Sequence, residues 1–231
     1  MLINLRNALM TGKRTPTAKD YLRASSLAIW DAIENAGWES HTSDASLGVA
    51  DLVGGVGKMA VDRNDITFTD NAIHVERLGR LISPTYSIGN KTLTLQYVAK
   101  NIGGLSGGEV GALWENPWFG INLRSAQQGV RFTYGTDTDY RIDVSIPRTY
   151  TLVRASRKNR FFAGKTLLGT SSRSISTINT RDFRLGAWND GASINVNGDI
   201  YCVRLYLSAL SDDDVFSLVD TDIARFNLPA T

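Results

Sequence analysis

Between residues 65 and 207 the chain is a succession of short β-forming segments divided by glycine, asparagine and aspartate. DITFTD (65–70), NAIHVER (71–77), KTLTLQYVAK (91–100), GINLRS (120–125) and GVRFTYG (129–135) come first. YRIDVSI (140–146), TYTLVRAS (149–156), RFFAGKTLLG (160–169), FRLGAW (183–188) and DIYCVRLYL (199–207) follow. Each alternates or clusters branched and aromatic residues over a strand's length, with turn formers at close spacing. This predicts an all-β sandwich or barrel. A parallel sheet would need long helical patterns between strands, and the sequence shows none. LAIWDAI (27–33) suits strand or helix alike, and 231 residues suffice for one such domain with a substantial core.

Arg157-Lys158-Asn159 is a polar connection of hairpin length between 149–156 and 160–169. Ala163-Gly164-Lys165 reads as a bulge or a second tight turn. Arg154, Arg157, Lys158, Arg160 and Lys165 make this the most basic local feature, expected as a solvated hairpin tip, with a phosphate or nucleic-acid contact as the alternative. Phe161 and Phe162, being adjacent, are expected on opposite faces.

The stretch NGDIYCVRLYLSALSDDDV (197–215) opens with a tight-turn signal at Asn197-Gly198. Simple alternation then places Ile200, Cys202, Arg204 and Tyr206 on one face, and Tyr201, Val203, Leu205 and Leu207 on the other. Both faces are largely apolar, which predicts a strand covered on both sides. Cys202, the single cysteine, is expected as a buried core thiol. Ser211 reads as a helix N-cap with Asp214 three residues on, and Leu210 and Val215 as a hydrophobic staple. Asp212, Asp213 and Asp214 fall where the helix dipole favours negative charge, which accounts for them without a metal. Val215, Leu218, Val219 and Ile223 form the helix's apolar stripe.

Gly198-Asp-Ile200-Tyr-Cys-Val203-Arg204-Leu-Tyr206, followed by Ala209-Leu210-Ser211 and acids, resembles the closing signature of laminin-G-like, concanavalin A-like jelly rolls. Leu185-Gly186-Ala187-Trp188 resembles the strand before it. Ala163-Gly164-Lys165 resembles the family's asparagine-glycine-lysine turn, with alanine in place of asparagine. The similarity is strongest over 145–226 and extends to about residue 25. It implies a jelly-roll β-sandwich over 25–231, with a short C-terminal helix and an N-terminal arm over 1–24.

LAIWDAIENAGW (27–38) and DLVGG (51–55) resemble the opening of gut-bacterial and phage proteins of this fold, and LRNALMTGKR resembles phage structural proteins with jelly-roll modules. What the resemblance implies is a virion structural component: a head fibre, decoration or tail-associated protein. The arm residues Leu2, Ile3, Leu5, Arg6, Leu9, Met10, Lys13 and Arg14 would then hold other virion proteins and support a homo-oligomer. The N-terminus lacks a signal-peptide core and no segment has the apolar length of a membrane span, so synthesis in a host cytoplasm and residence in the virion are expected. The 25 basic residues are balanced by 23 acidic ones, so neither nucleic acid nor membrane is an expected partner.

Jelly rolls of this type include lectins, carbohydrate-binding modules and glycoside hydrolases. The hydrolases' glutamate-x-aspartate-x-x-glutamate motif is absent. Asp139 and Asp143 would share a strand face, but about 13 Å apart, with Arg141 between them, too far for a retaining pair. His41 and His74 lack metal-ligand spacing. The glycine-rich stretches at 54–57 and 103–108 lack the lysine and hydroxyl of a phosphate loop. The expectation is no enzyme and no cofactor. Calcium is left open, because the lectin-type aspartate-asparagine constellation is not recognisable. Sugar binding favours exposed aromatic platforms with amide and carboxylate neighbours. Trp114, Glu115, Asn116 and Trp118 form one such cluster, and Trp188, Asn189 and Asp190 another; the alternative is that these tryptophans plug the core or its rim. A possible host surface glycan is the implied ligand. A carbohydrate-binding module of a bacterial cell surface and a glycan hydrolase or lyase are the competing readings.

Overall fold

A computed structural model describes residues 14–42, 48–89, 92–102, 112–113, 119–124, 129–134, 137–156, 158–172, 182–186 and 196–230. A short 3-10 turn, Ala18–Tyr21, precedes β1 (Ser26–Asp31), β2 (Ala60–Arg63), β3 (Ile66–Phe68), β4 (Ile73–Arg77) and β5 (Arg80–Ile82). Then come β6 (Leu93–Asn101), β7 (Ala112–Leu113), β8 (Phe119–Leu123), β9 (Val130–Tyr134) and β10 (Asp137–Tyr140). β11 (Arg148–Arg154), β12 (Asn159–Ala163), β13 (Thr166–Ser171), β14 (Phe183–Gly186), β15 (Val196–Tyr206) and the helix α1 (Asp212–Phe226) complete the chain. One sheet runs β13-β12-β11-β6-β15-β4-β3, with β1 also on β15; the second runs β10-β9-β8-β7-β14-β5-β2. All pairings are antiparallel. The expected all-β sandwich with a C-terminal helix is what forms.

Trp30, Leu81, Leu95, Ile121, Phe132, Leu152, Phe161 and Val203 belong to the main core. A second core on the eight-stranded sheet contains Tyr21, Ile29, Val98, Val153, Phe162, Cys202, Tyr206, Val215, Leu218 and Phe226. That sheet is therefore buried on both faces, which is why β6, β11 and β15 read as continuous apolar runs. Phe161 and Phe162 divide between the two cores as their adjacency requires. Cys202 is fully buried, and desolvation pushes its thiol well up.

Two details of the ending differ from the sequence reading. The β15–β6 register shifts between Ile200 and Cys202, so Tyr201 occupies a bulge. Ile200 consequently joins Val203 and Leu205 in the main core, while Tyr201 joins Cys202 and Tyr206 in the second. Asn197-Gly198 is not a turn; both residues lie within β15, opposite Glu76 and Val75 of β4. Glycine serves close approach there, because a Cβ on Gly198 would lie 2.3 Å from the Lys100 carbonyl oxygen. The tight turn is at Gly164, at φ +58° between β12 and β13.

The segment 140–146 was expected as a strand, but pairing in β10 ends at Tyr140. Beyond it the chain passes from one sheet to the other without forming a further strand, although the Val144 carbonyl accepts from the Asn101 N–H at the end of β6 at 2.8 Å. Val144 remains buried, and Asp143 folds back to accept hydrogen bonds from the Ser145 backbone N–H and hydroxyl at 2.9 and 2.5 Å.

The basic hairpin is a solvated tip only in part: Lys158 is exposed, but other cations are engaged. Arg154 is buried, Arg160 binds Asp212 and the Leu210 carbonyl, and Lys165 pairs with Asp220 at 2.6 Å. Arg160 and Lys165 therefore dock α1, while Arg154 donates to the Gly89 carbonyl at 3.4 Å; Arg157 lies outside the described residues. Ser211 caps α1 as expected, its Oγ accepting from the Asp214 N–H at 3.1 Å. Leu210 and Val215 are both buried, and Asn227 ends the helix at φ +53°. Of the expected arm, Ala18 and Tyr21 are fully buried and Arg14 pairs with Asp20, while residues 1–13 lie outside the described set.

Beneath α1 lies a buried ion network. Arg204 on β15 donates two hydrogen bonds to Asp222, at 2.6 and 2.7 Å, and both side chains are fully enclosed. Thr149 on β11 donates to the same carboxylate at 2.6 Å, and the Tyr21 ring stacks 4.1 Å from the Arg204 guanidinium carbon. Arg225 reaches Asp31 at 2.8 Å and Glu34 at 3.1 Å. Removing one member of a buried pair strands the other charge, at a cost of about 3–5 kcal/mol. Asp222→Ala should therefore lower stability in urea by about 3–5 kcal/mol, and Arg204→Met with Asp222→Leu should recover most of it. A cost below about 1 kcal/mol for the single variant, the range of exposed pairs, would show that the network does not hold the helix.

Candidate functional site

α1 and the 3-10 turn pack on the eight-stranded sheet, and the outward side of the seven-stranded sheet carries a set of polar residues. Ile121, Leu123, Val130 and Phe132 all point into the main core. Strand alternation then directs Asn122 and Arg124, and Arg131 and Thr133, away from it. Pairing aligns these residues into rows. Arg184, Ala112, Gly120, Thr133 and Asp137 share one row through successive partners. Asn122, Arg131 and Asp139 share the next. At about 4.8 Å per strand, the first row spans roughly 19 Å.

The geometry around Arg131 is fixed by charge. Its Nε and Nη2 donate to the two oxygens of Asp139 at 2.8 and 3.0 Å, a bidentate pair. Those hydrogen bonds, against the opposing effect of burial, hold the Asp139 carboxyl below its ordinary range. Arg124 Nη1 stands 3.7 Å from the same carboxylate. Asn122 Nδ2 donates to Thr133 Oγ1 at 3.2 Å, and Asn122 and Thr133 are only 4% and 3% exposed. The Asn122 Oδ1 is enclosed without a hydrogen-bond partner. Elsewhere on this face Arg184 donates to Asp182 at 2.6 Å and Arg80 to Asp62 at 2.6 Å. Amide, hydroxyl and guanidinium groups held in rows are the donors and acceptors that a polyhydroxylated ligand requires.

The clusters expected from sequence lie outside the described residues. Trp114, Glu115, Asn116 and Trp118 belong to the connection from β7 to β8, and Trp188, Asn189 and Asp190 follow β14. β7 ends at Leu113, opposite Phe183, whereas β14 ends at Gly186, at the other end of that pairing. The two tryptophan segments therefore join the sheet at opposite ends. Leu2, Ile3, Leu5, Arg6, Leu9, Met10 and Lys13 also lie outside the described residues.

Sequence reasoning passed over Asn122, Arg124, Arg131 and Thr133. Their signal was present in the alternation of GINLRS and GVRFTYG, where the polar residues recur at every second position. Asp139 was read together with Asp143 as a same-faced pair. The structure separates them, since Asp143 lies beyond the end of β10, and gives Asp139 to Arg131.

Two other polar features lie near the eight-stranded sheet. His74 faces Asp199 through Nδ1 at 2.6 Å and Glu76 through Nε2 at 3.1 Å, and Lys100 reaches Asp199 at 2.9 Å. Burial opposes charge on His74, but the hydrogen bonds to the two carboxylates prevail and its pKa is raised. A cleft of about 330 Å³ lies between Thr15–Thr17, Ile33, Glu34, Glu39–His41 and Arg225. Among the described residues, no group of three or more His, Cys, Asp or Glu is arranged to hold a metal ion, and no helix is long and apolar enough to cross a membrane.

No protein-family model matches the sequence, and no curated protein matches it. Solved structures do. Trypanosoma rangeli sialidase superposes with a TM-score of 0.64 at 16% identity, over 91% of this chain and 34% of the sialidase. The same enzyme in complex with sialic acid gives the same values. The binding domain of botulinum neurotoxin DC in complex with SialylT gives a TM-score of 0.63 at 13% identity, over 86% of this chain and 52% of that one. The likeness is one of fold. The chain spans about a third of the sialidases and half of the toxin domain.

The expectation that the chain is no enzyme is corrected by this finding, because sialidases are prominent among the structures it resembles. The sequence argument rested on a missing pair of carboxylates. Sialidases use a tyrosine nucleophile, so that test excludes one class of glycan chemistry and leaves others.

The raised pKa of His74 has a defined sign. A histidine whose pKa is higher in the folded than in the unfolded state stabilises fully below the ordinary value of 6.5, and that contribution is lost as pH rises through the folded value. Thermal midpoints measured from pH 5.5 to 8.5 should carry a decline above pH 6.5 that is absent in His74→Gln. Parallel curves for the two proteins would refute the assignment.

Proposed function

We propose that this chain is a carbohydrate-binding module of the laminin-G-like jelly-roll type, and that glycan sits on the outward face of the seven-stranded sheet. The observation that carries the reading is the row Asn122, Arg131, Asp139, beside Thr133 and Arg124, in which two partly exposed arginines converge on the partly exposed Asp139 carboxylate. The comparison supports it, since the titles of the neighbours name sialic acid and SialylT as what those proteins hold. Sugar hydroxyls can accept hydrogen bonds from the arginines and donate to the Asp139 carboxylate.

The module is further proposed to be carried on a phage particle, as a head fibre, decoration or tail-associated protein. The apolar and basic residues of positions 1–13 favour this, as a segment suited to hold other virion proteins and to join copies of the chain. A module of a bacterial cell surface is the competing placement. Mass spectrometry of purified virions separates the two. Deleting residues 1–13 should abolish incorporation while leaving a folded domain, and unchanged incorporation would remove the arm from the account.

For the site itself, a glycan array with the full chain should give reproducible binding. Arg131→Ala and Asn122→Ala should each weaken that binding at least about tenfold, roughly 1.4 kcal/mol, with the thermal midpoint measured in parallel to confirm folding. Full binding by both folded variants would move the site elsewhere, and the tryptophan segments at 114–118 and 188–190 would be tested next by Trp→Ala exchange.

A further inference from the structure

We infer that His74 is a proton-operated latch. With a proton on both ring nitrogens it holds Glu76, and with it the corner Glu76–Gly79 that joins the two sheets; loss of one proton lets that corner loosen. The ring lies between two carboxylates, with Nδ1 2.6 Å from Asp199 Oδ1 and Nε2 3.1 Å from Glu76 Oε1. An ionised carboxylate only accepts hydrogen bonds, and a neutral imidazole has one N–H and one lone pair. Both contacts are therefore satisfied only by the imidazolium. Asp199 stands directly opposite His74 in the β4–β15 ladder and is held independently by Lys100 of β6 at 2.9 Å. The Glu76 side chain is 58% exposed, against 19% for Asp199. When one proton leaves, the Nδ1–H stays with Asp199, the Nε2 lone pair faces an anion, and Glu76 swings into solvent. Thr67, the partner of His74 on β3, does not titrate. Tyr201, in the β15 bulge beside Lys100 and Asp199, is kept neutral by burial. Burial opposes charge on His74 as well, but its bonds to the two carboxylates outweigh that, so the hold is complete at low pH and is lost as pH rises through the folded value.

What Glu76 holds is a strained turn. Its backbone N–H donates to the Asp65 carbonyl at 2.9 Å, and its carbonyl accepts from the Gly79 N–H at 2.8 Å. Arg77, between them in the turn, stands at φ +49°, and Asp65, across the hairpin, at φ +70°. A non-glycine residue in the left-handed region persists where its surroundings over-determine it. A Cβ on Gly79 would lie 2.4 Å from the Asp65 carbonyl oxygen, and one on Gly186 of β14 would lie 2.3 Å from the Gly79 carbonyl oxygen. The corner is thus tightly packed as well as strained, and its entry is fastened by one contact that depends on a proton. It is also a junction, since β4 belongs to the eight-stranded sheet and β5 to the seven-stranded one.

The test is nuclear magnetic resonance on the full chain. At pH 6 the nitrogen shifts of His74 should show protons on both Nδ1 and Nε2; a lone pair on Nε2 at that pH overturns the latch. Amide exchange, corrected for its intrinsic rate, reads the corner. Protection of the Glu76 and Gly79 amides should fall at least about threefold between pH 6 and pH 8.5. That fall should be the same in dilute urea, because a local opening exposes little surface and global unfolding exposes much. His74→Gln should show the lower protection at both pH values. Glu76→Gln should show the higher at both, because its side-chain amide can accept from an N–H or donate to a lone pair. A corner whose protection does not change with pH overturns the proposal, as does a step that survives in folded His74→Gln or Glu76→Gln. So does exchange at Glu76 and Gly79 that follows urea as the amides of β11 and β12 do, since the corner then opens only when the whole domain unfolds.

Discussion

The enclosed pair of Arg204 and Asp222 is the constraint on which the rest of the molecule depends. Arg204 stands on β15, which pairs with β6, β4 and β1, and Asp222 stands on the helix that follows. An arginine at the centre of a doubly buried strand can be accommodated only if its charge is met where it lies. Asp222 and the Tyr21 ring meet it from the helix and from the 3-10 turn, and Thr149 on β11 donates to the Asp222 carboxylate. The pair thus locks three separate parts of the chain to one sheet. Well-packed apolar residues would hold a helix equally well; a buried ion pair adds geometry, since two parallel hydrogen bonds admit one helix position.

That seal decides where function is to be sought. One sheet has its outer face closed by apolar packing and paired charges. The other carries arginine, asparagine, threonine and aspartate on its outward rows. The same alternation that buries Ile121, Leu123, Val130 and Phe132 delivers the polar set, so core and candidate site are two readings of the same two strands.

Much of the architecture was legible because it is local. Strand-length β-forming segments, the Ser211 cap, the Leu210–Val215 staple and the 149–169 hairpin each follow from a few adjacent residues. What escaped depends on distant partners. β2, β5 and β7 are two to four residues long and exist because neighbours in the sheet complete their hydrogen bonds. The bulge at Tyr201 is invisible to alternation, since its cause is the register against β6. Asn197-Gly198 has a turn's composition but is held extended by strands on either side. The candidate site was half legible. Its alternation is plain in the sequence, but the sharing of Asp139 by two arginines arises only when β8, β9 and β10 are laid side by side.

The covering of the eight-stranded sheet also fixes how the domain faces the world. The described chain starts at Arg14, beside the 3-10 turn, and ends just beyond α1, and Arg225 on that helix donates to the Pro16 carbonyl at 3.2 Å. Both ends therefore emerge together on the sealed side. The arginine-bearing rows belong to the opposite sheet, away from both of these points, and that separation belongs to the fold.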